Sequence, residues 1–203
     1  MSPEEQKARE HYEKAVTARK AGDKATAFAQ LQECLTALRS LHDKPSQGRV
    51  WALVGDLQAA AGEHARALAS FELAASLLDG NEARRERTMI LFKLAAAAHA
   101  TEFDSRAIEA YDDIIRFTQD TGDARLDGLA RSLRGQITFQ RGSQRHGLEQ
   151  MILGASRLHL SQAPEAKRSI ELVRELGSRM PRKEYEALIK DLCERRELLD
   201  ALL

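Results

Sequence analysis

The sequence predicts an all-α fold of about five helical hairpins stacked as an α-solenoid. Three observations carry that prediction. Small and bulky apolar residues recur every 40 residues without a gap. Between them, apolar residues follow the i, i+3, i+4, i+7 spacing of one helix face rather than strand alternation. Glycine, proline and helix-capping polar residues punctuate the runs at regular intervals.

The repeat is read most clearly from the second copy. Trp51-Ala52-Leu53-Val54-Gly55-Asp56-Leu57-Gln58 leads to Gly62, then to Ala67, Phe71 and Ala74. In steps of 40, Ala15, Gly55, Ala95 and Gly135 share one phase, and Ala27, Ala67, Ala107 and Gly147 share another. Leu31, Phe71, Tyr111 and Met151 form a bulky column, and Cys34, Ala74, Ile114 and Gly154 follow it. A small residue midway along a first helix lets a second helix approach. The small residue on the second helix does the same from its side, and the larger residue four positions later fills the space beside them. Gly22, Gly62 and Gly142 permit the left-handed turn that ends a first helix. Glu102 occupies that phase in the third copy and is read as part of a helix running through the turn.

In chain order the expected helices cover 4–21, 24–42, 48–61, 64–79, 83–101, 104–121, 124–141, 144–160, 164–178 and 182–201. The turns fall at His42-Asp43-Lys44-Pro45, Asp79-Gly80-Asn81, Asp120-Thr121-Gly122-Asp123, Gln162-Ala163-Pro164 and Gly177-Ser178, each with a breaker or cap. No linker or low-complexity tract appears, so 1–203 is expected to be one domain. Its repeats are about 8–47, 48–87, 88–127 and 128–163. Residues 164–203 break the phase, because Glu175 stands 40 after Gly135. They are read as a C-terminal capping hairpin. The apolar tail Leu198-Leu199-Asp200-Ala201-Leu202-Leu203 leaves a homodimer through the C-terminal helices as the alternative.

These residues resemble the tetratricopeptide repeat (TPR), whose pattern is Trp-x2-Leu-Gly-x2-Tyr followed by a small residue, an aromatic and a small residue. Copy two matches best, through Trp51, Val54, Gly55, Gln58, Gly62, Ala67, Phe71 and Ala74. Copy three keeps Leu91, Leu94, Ala95, Ala98, Ala107 and Tyr111. Copy four has Arg131 at the tryptophan position, and copy one has His11 and Lys14 at apolar positions. The period is 40 rather than the usual ~34 residues. The extra residues are expected to lengthen the second helix or its exit. Repeats of that length are similar to those of kinesin light chain and of Rap-type and MalT-type regulators. The resemblance implies a right-handed TPR-like α-solenoid and binding of protein or peptide, with no one chemistry attached.

Composition narrows the function further. Lys+Arg and Asp+Glu are both 31, so the formal net charge is zero. That argues against a nucleic-acid partner, which calls for an electropositive face. No apolar run reaches the ~18 residues of a membrane span, and the acidic start Met1-Ser2-Pro3-Glu4-Glu5 lacks a signal region. A cytoplasmic protein with no membrane insertion is expected. His11, His42, His64, His99, His146 and His159 are scattered, and no Cys-x2-Cys occurs, so no metal and no cofactor are expected. Cys34 lies in the small packing column and reads as a buried structural thiol. No catalytic set is recognisable, so the chain is not expected to be an enzyme.

Expected binding residues are those of each first helix lying roughly 100–160° from the motif positions. In a TPR solenoid this face lines the concave groove. It takes in Arg9, Tyr12, Val16 and Arg19, then Arg49, Ala52, Asp56 and Ala59. It continues with Met89, Phe92, Ala96 and His99 beside Lys93, and with Leu129, Ser132, Gln136 and Phe139 beside Gln140. Its apolar members suit an amphipathic or extended segment, and its arginines suit acidic flanks. Asn81 is the only asparagine, so the groove asparagines of kinesin light chain and its long-period relatives have no counterpart. The expected function is a non-enzymatic adaptor or scaffold binding a segment of another protein. The alternatives are a regulatory sensor of a signal peptide or small molecule, and a cytosolic secretion-type chaperone.

Overall fold

The computed structural model describes residues 2–78, 80 and 83–202, the last eight through their backbone alone. Among the described residues it contains α1 (Pro3–Lys20), α2 (Lys24–Ser40), α3 (Lys44–Ala60), α4 (His64–Leu77) and α5 (Arg84–Ala100). These are followed by α6 (Asp104–Thr121), α7 (Ala124–Gln140), α8 (Gln144–Leu160), α9 (Ala166–Gly177) and α10 (Arg182–Leu202). No strand occurs among the described residues. No helix of the described residues is long and apolar enough to cross a membrane. The chain divides into two compact units, Met1–Ala107 and Ile108–Leu203.

One turn geometry recurs at six helix ends. Gly22 stands at φ 80° after α1, its N–H donating to Arg19 O at 3.1 Å and that of Asp23 to Ala18 O at 2.9 Å. This pair of bonds satisfies the last carbonyls of the helix. The same pair closes the turns at His42, Gly62, Glu102, Gly142 and Gln162. The following helix starts two residues after the turn residue, except at Gln162, where α9 starts at Ala166. Asp23, Asp43 and Asp123 each accept the N–H three residues on, at 3.0 Å.

Two expectations are corrected by the structure. Glu102 does not continue a helix: α5 ends at Ala100, and Glu102 takes φ 60° in the turn. Its N–H bonds to His99 O at 3.0 Å and that of Phe103 to Ala98 O at 2.8 Å, so the turn forms without glycine. First and second helices are of similar length, with 17 residues each in α2, α3, α7 and α8. And α3 starts at Lys44 instead of 48. Pro45 lies in its first turn, where the missing N–H has no helical partner to lose.

In the first unit, Ala15 and Ala27 are fully buried in the α1–α2 hairpin. In α3–α4, a Cβ on Gly55 would lie 2.6 Å from the Phe71 ring. Leu31, Val54, Leu57 and Phe71 are buried, and Trp51 packs half-buried against that core. Cys34 is buried and donates its S–H to Ala8 O at 3.2 Å.

In the second unit, α7 and α8 meet through glycine on both helices. Gly128 and Gly135 lie one side, Gly147 and Gly154 the other, and a Cβ on any of them would stand under 3.0 Å from the neighbouring helix. The last hairpin covers the apolar side of this pair. Val173, Leu176, Met180 and Leu188 are buried with Leu148 and Met151, and Arg145 on α8 pairs with Asp191 on α10. The tail side chains from Leu198 to Leu203, and Asn81, lie outside the described residues.

The second unit also holds a buried charge. Asp127 is 3% exposed and accepts from Arg131 and Arg157 at 2.9 Å each, with Thr118 Oγ1 at 3.2 Å. Arg131 therefore stands at the tryptophan position of copy four as the partner of an acid one turn earlier.

Candidate groove of the first unit

The expected binding residues do not behave as one set. The structure brings Arg9, Tyr12 and Arg49 to the rim of a cavity of about 390 Å³ formed by α1, α2 and α3. Ala8, Cys34, Leu38, Leu41 and Val50 supply its apolar floor. Glu5, Asp43 and Ser46 complete the rim. Asp43 and Ser46 escaped the sequence reading because α3 begins a full turn earlier than expected.

Tyr12 is the exposed aromatic of this rim, 41% accessible. A tyrosine presented this way offers ring area and a hydroxyl at little entropic cost. The floor contributes no reactivity. Burial pushes the Cys34 thiol up to about 11, so at neutral pH it is a protonated, inert group.

Most of the charged groove residues already have an ionic partner. Arg49 forms a two-point contact with Glu86 at 2.8 and 3.3 Å, which holds its guanidinium more firmly charged. Lys93 pairs with Asp56 at 2.8 Å. Both pairs span 37 residues, from the first helix of one hairpin to that of the next. Ser132 and Ser169 make the same step in the second unit, at 3.0 Å. These contacts tie adjacent repeats together, so Asp56 and Lys93 are primarily inter-repeat groups. Arg9 pairs with Glu13 at 2.9 Å on the exposed surface of α1.

The remaining expected residues are dispersed. Met89 is 50% exposed on α5. Phe92 is half-buried, and Arg19 is exposed at the end of α1. His99 is exposed and bonds through Nδ1 to Asp104 at 2.6 Å. In the second unit Leu129 packs against Leu158, Ala163 and Ala166. Gln136 is half-buried and lines a cavity of about 380 Å³ with Gln140, Gln144, Leu172 and Arg179. Phe139 is a correction. It is 7% exposed and packs with Leu148, Met151 and Leu176, so its ring is core with one edge at the floor of that cavity. The reason is the glycine contact: a Cβ on Gly147 would lie 2.4 Å from Phe139 N, and the following ring is drawn inward.

Among the described residues no group of three His, Cys, Asp or Glu side chains is arranged to hold a metal ion.

No family model matches the sequence, and no curated protein matches it. Solved structures do match. The apo form of RapI is similar with a TM-score of 0.80 at 10% identity, over 96% of this chain and 54% of that one. The chain thus spans about half the length of that structure. At this identity the likeness speaks for the fold: an all-helical, TPR-like helical repeat.

Proposed function

We propose that this chain is a non-enzymatic adaptor that binds a segment of another protein in the α1–α3 groove. We further propose that its repeats belong to the long-period type. The recurrence of one turn at Gly22, His42, Gly62, Glu102, Gly142 and Gln162, in steps of 20 or 40 residues, supports that assignment.

The observation that carries the reading is the meeting of Tyr12, Arg9 and Arg49 over an apolar floor. An apolar side chain of the partner would enter between Tyr12 and Val50. A carboxylate on its flank would share the Arg9 and Arg49 guanidiniums with their present partners. Exposed aromatics and arginines of this kind are the side chains on which interface energy concentrates.

Tyr12→Ala tests the proposal. Partner retention from a native lysate should fall by about tenfold or more, as expected for losing a central aromatic anchor. The melting temperature should stay close to that of the wild type. Undiminished retention would remove the groove from the binding surface.

A further inference from the structure

A second cleft lies in the other unit, and nothing in the groove reading accounts for it. It runs between the C-terminal end of α8 and the outer face of α9, with a volume of about 490 Å³. Ala163, Pro164 and Ile170 make its floor apolar. His159, Lys167 and Arg174 stand on its rim. Among the described residues none of these three side chains has a hydrogen bond or ion pair within the chain. Two arginines nearby are paired, Arg125 with Glu165 and Arg157 with Asp127. Leu160, one residue past His159, ends α8 with 75% of its surface in solvent.

Lys167, Ile170, Glu171 and Arg174 follow one another at i, i+3, i+4 and i+7, so they form a single stripe along α9. The two cations stand roughly 10 Å apart at 1.5 Å rise per residue. Glu171 lies between them and disfavours a continuous polyanion. A phosphate backbone would also leave the apolar floor uncovered.

We propose that this cleft docks an acidic amphipathic segment of a protein partner, independently of the α1–α3 groove. The segment carries carboxylates about 10 Å apart, at i and i+7 of a helix, for Lys167 and Arg174. An apolar side chain at i+3 or i+4 covers Ile170 and Pro164.

The test is selection of a random peptide library on the full chain, followed by affinity measurement of the selected peptides. Three proteins are compared: wild type, the exposed double variant Lys167→Glu/Arg174→Glu, and Tyr12→Ala, with folding of each checked by circular dichroism. Peptides with Asp or Glu flanking Leu, Ile, Met or Phe should be enriched. They should bind the double variant about tenfold more weakly or worse, bind Tyr12→Ala unchanged, and weaken as salt rises. The proposal is overturned by an absence of acidic enrichment. It is equally overturned by equal binding to the double variant, by loss of binding in Tyr12→Ala alone, or by full displacement with millimolar inorganic phosphate, which would make the cleft a simple anion site.

Discussion

Gly135 and Gly147 face each other across α7 and α8 so closely that a Cβ on Gly135 would stand 2.5 Å from the Gly147 carbonyl oxygen. Backbone cannot yield there as a flexible side chain can. The Gly135→Ala variant should therefore lose about 1–3 kcal/mol, the usual range for overpacking a filled interior. Urea denaturation checks this, and an unchanged midpoint would refute the close approach.

In the first unit the equivalent contact is glycine against a ring. A Cβ on Gly55 would meet the Phe71 ring at 2.6 Å. Gly55→Ala should destabilise, and Phe71→Leu in the same chain should recover part of the loss. A double-mutant cycle should give a coupling of about 0.5 kcal/mol or more. Simple additivity would mean that the two residues do not share the contact.

Glu102 holds a left-handed conformation that glycine holds at Gly22, Gly62 and Gly142. A side chain there costs roughly 1–2 kcal/mol, and glycine's greater freedom when unfolded gives part of that back. Glu102→Gly should raise stability by about 0.5–1 kcal/mol, read as a higher melting temperature.

These contacts show what the sequence could and could not disclose. The columns at Gly55, Ala67, Gly135 and Gly147 were legible because close helix packing admits few residue types. The turn at Glu102 was not, since its geometry is set by main-chain hydrogen bonds that do not require glycine. The start of α3 was obscured by Pro45, which reads as a breaker unless Asp43 is recognised as the cap before it. Periodicity puts Tyr12 and Arg49 on corresponding helix faces, and both line one cavity of the structure. Periodicity does not reveal that Arg49 meets Glu86, nor that Asp56 meets Lys93, because those pairs depend on how one hairpin registers on the next. The burial of Phe139 escaped because it depends on the close approach of α8 at Gly147 together with cover from Leu176 of the next hairpin.

Alkaline pH should weaken the fold through two buried acids. Burial pushes the Cys34 thiol from an ordinary 9.0 up to about 11, and the Tyr111 hydroxyl from 10.0 up to about 12. Between the ordinary and raised values the unfolded chain has lost the proton and the folded chain has kept it. Stability from these groups is complete below about pH 9 and falls as pH rises towards 11 and 12. Equilibrium unfolding across pH 8 to 12 should show that decline. Cys34→Ser should remove its earlier part. At neutral pH a thiol reagent should label exposed Cys193 quickly and Cys34 only on unfolding.

On the proposed function, a protein segment occupies the α1–α3 groove beside Tyr12. The most direct measurement places p-benzoylphenylalanine at that position and irradiates the protein in a native lysate. The account predicts one discrete adduct with another protein, whose cross-linked segment pairs an apolar residue with a neighbouring carboxylate. Adducts that form from the same photoprobe at Leu160 but not at Tyr12 would contradict it, and would move the binding surface to the second unit.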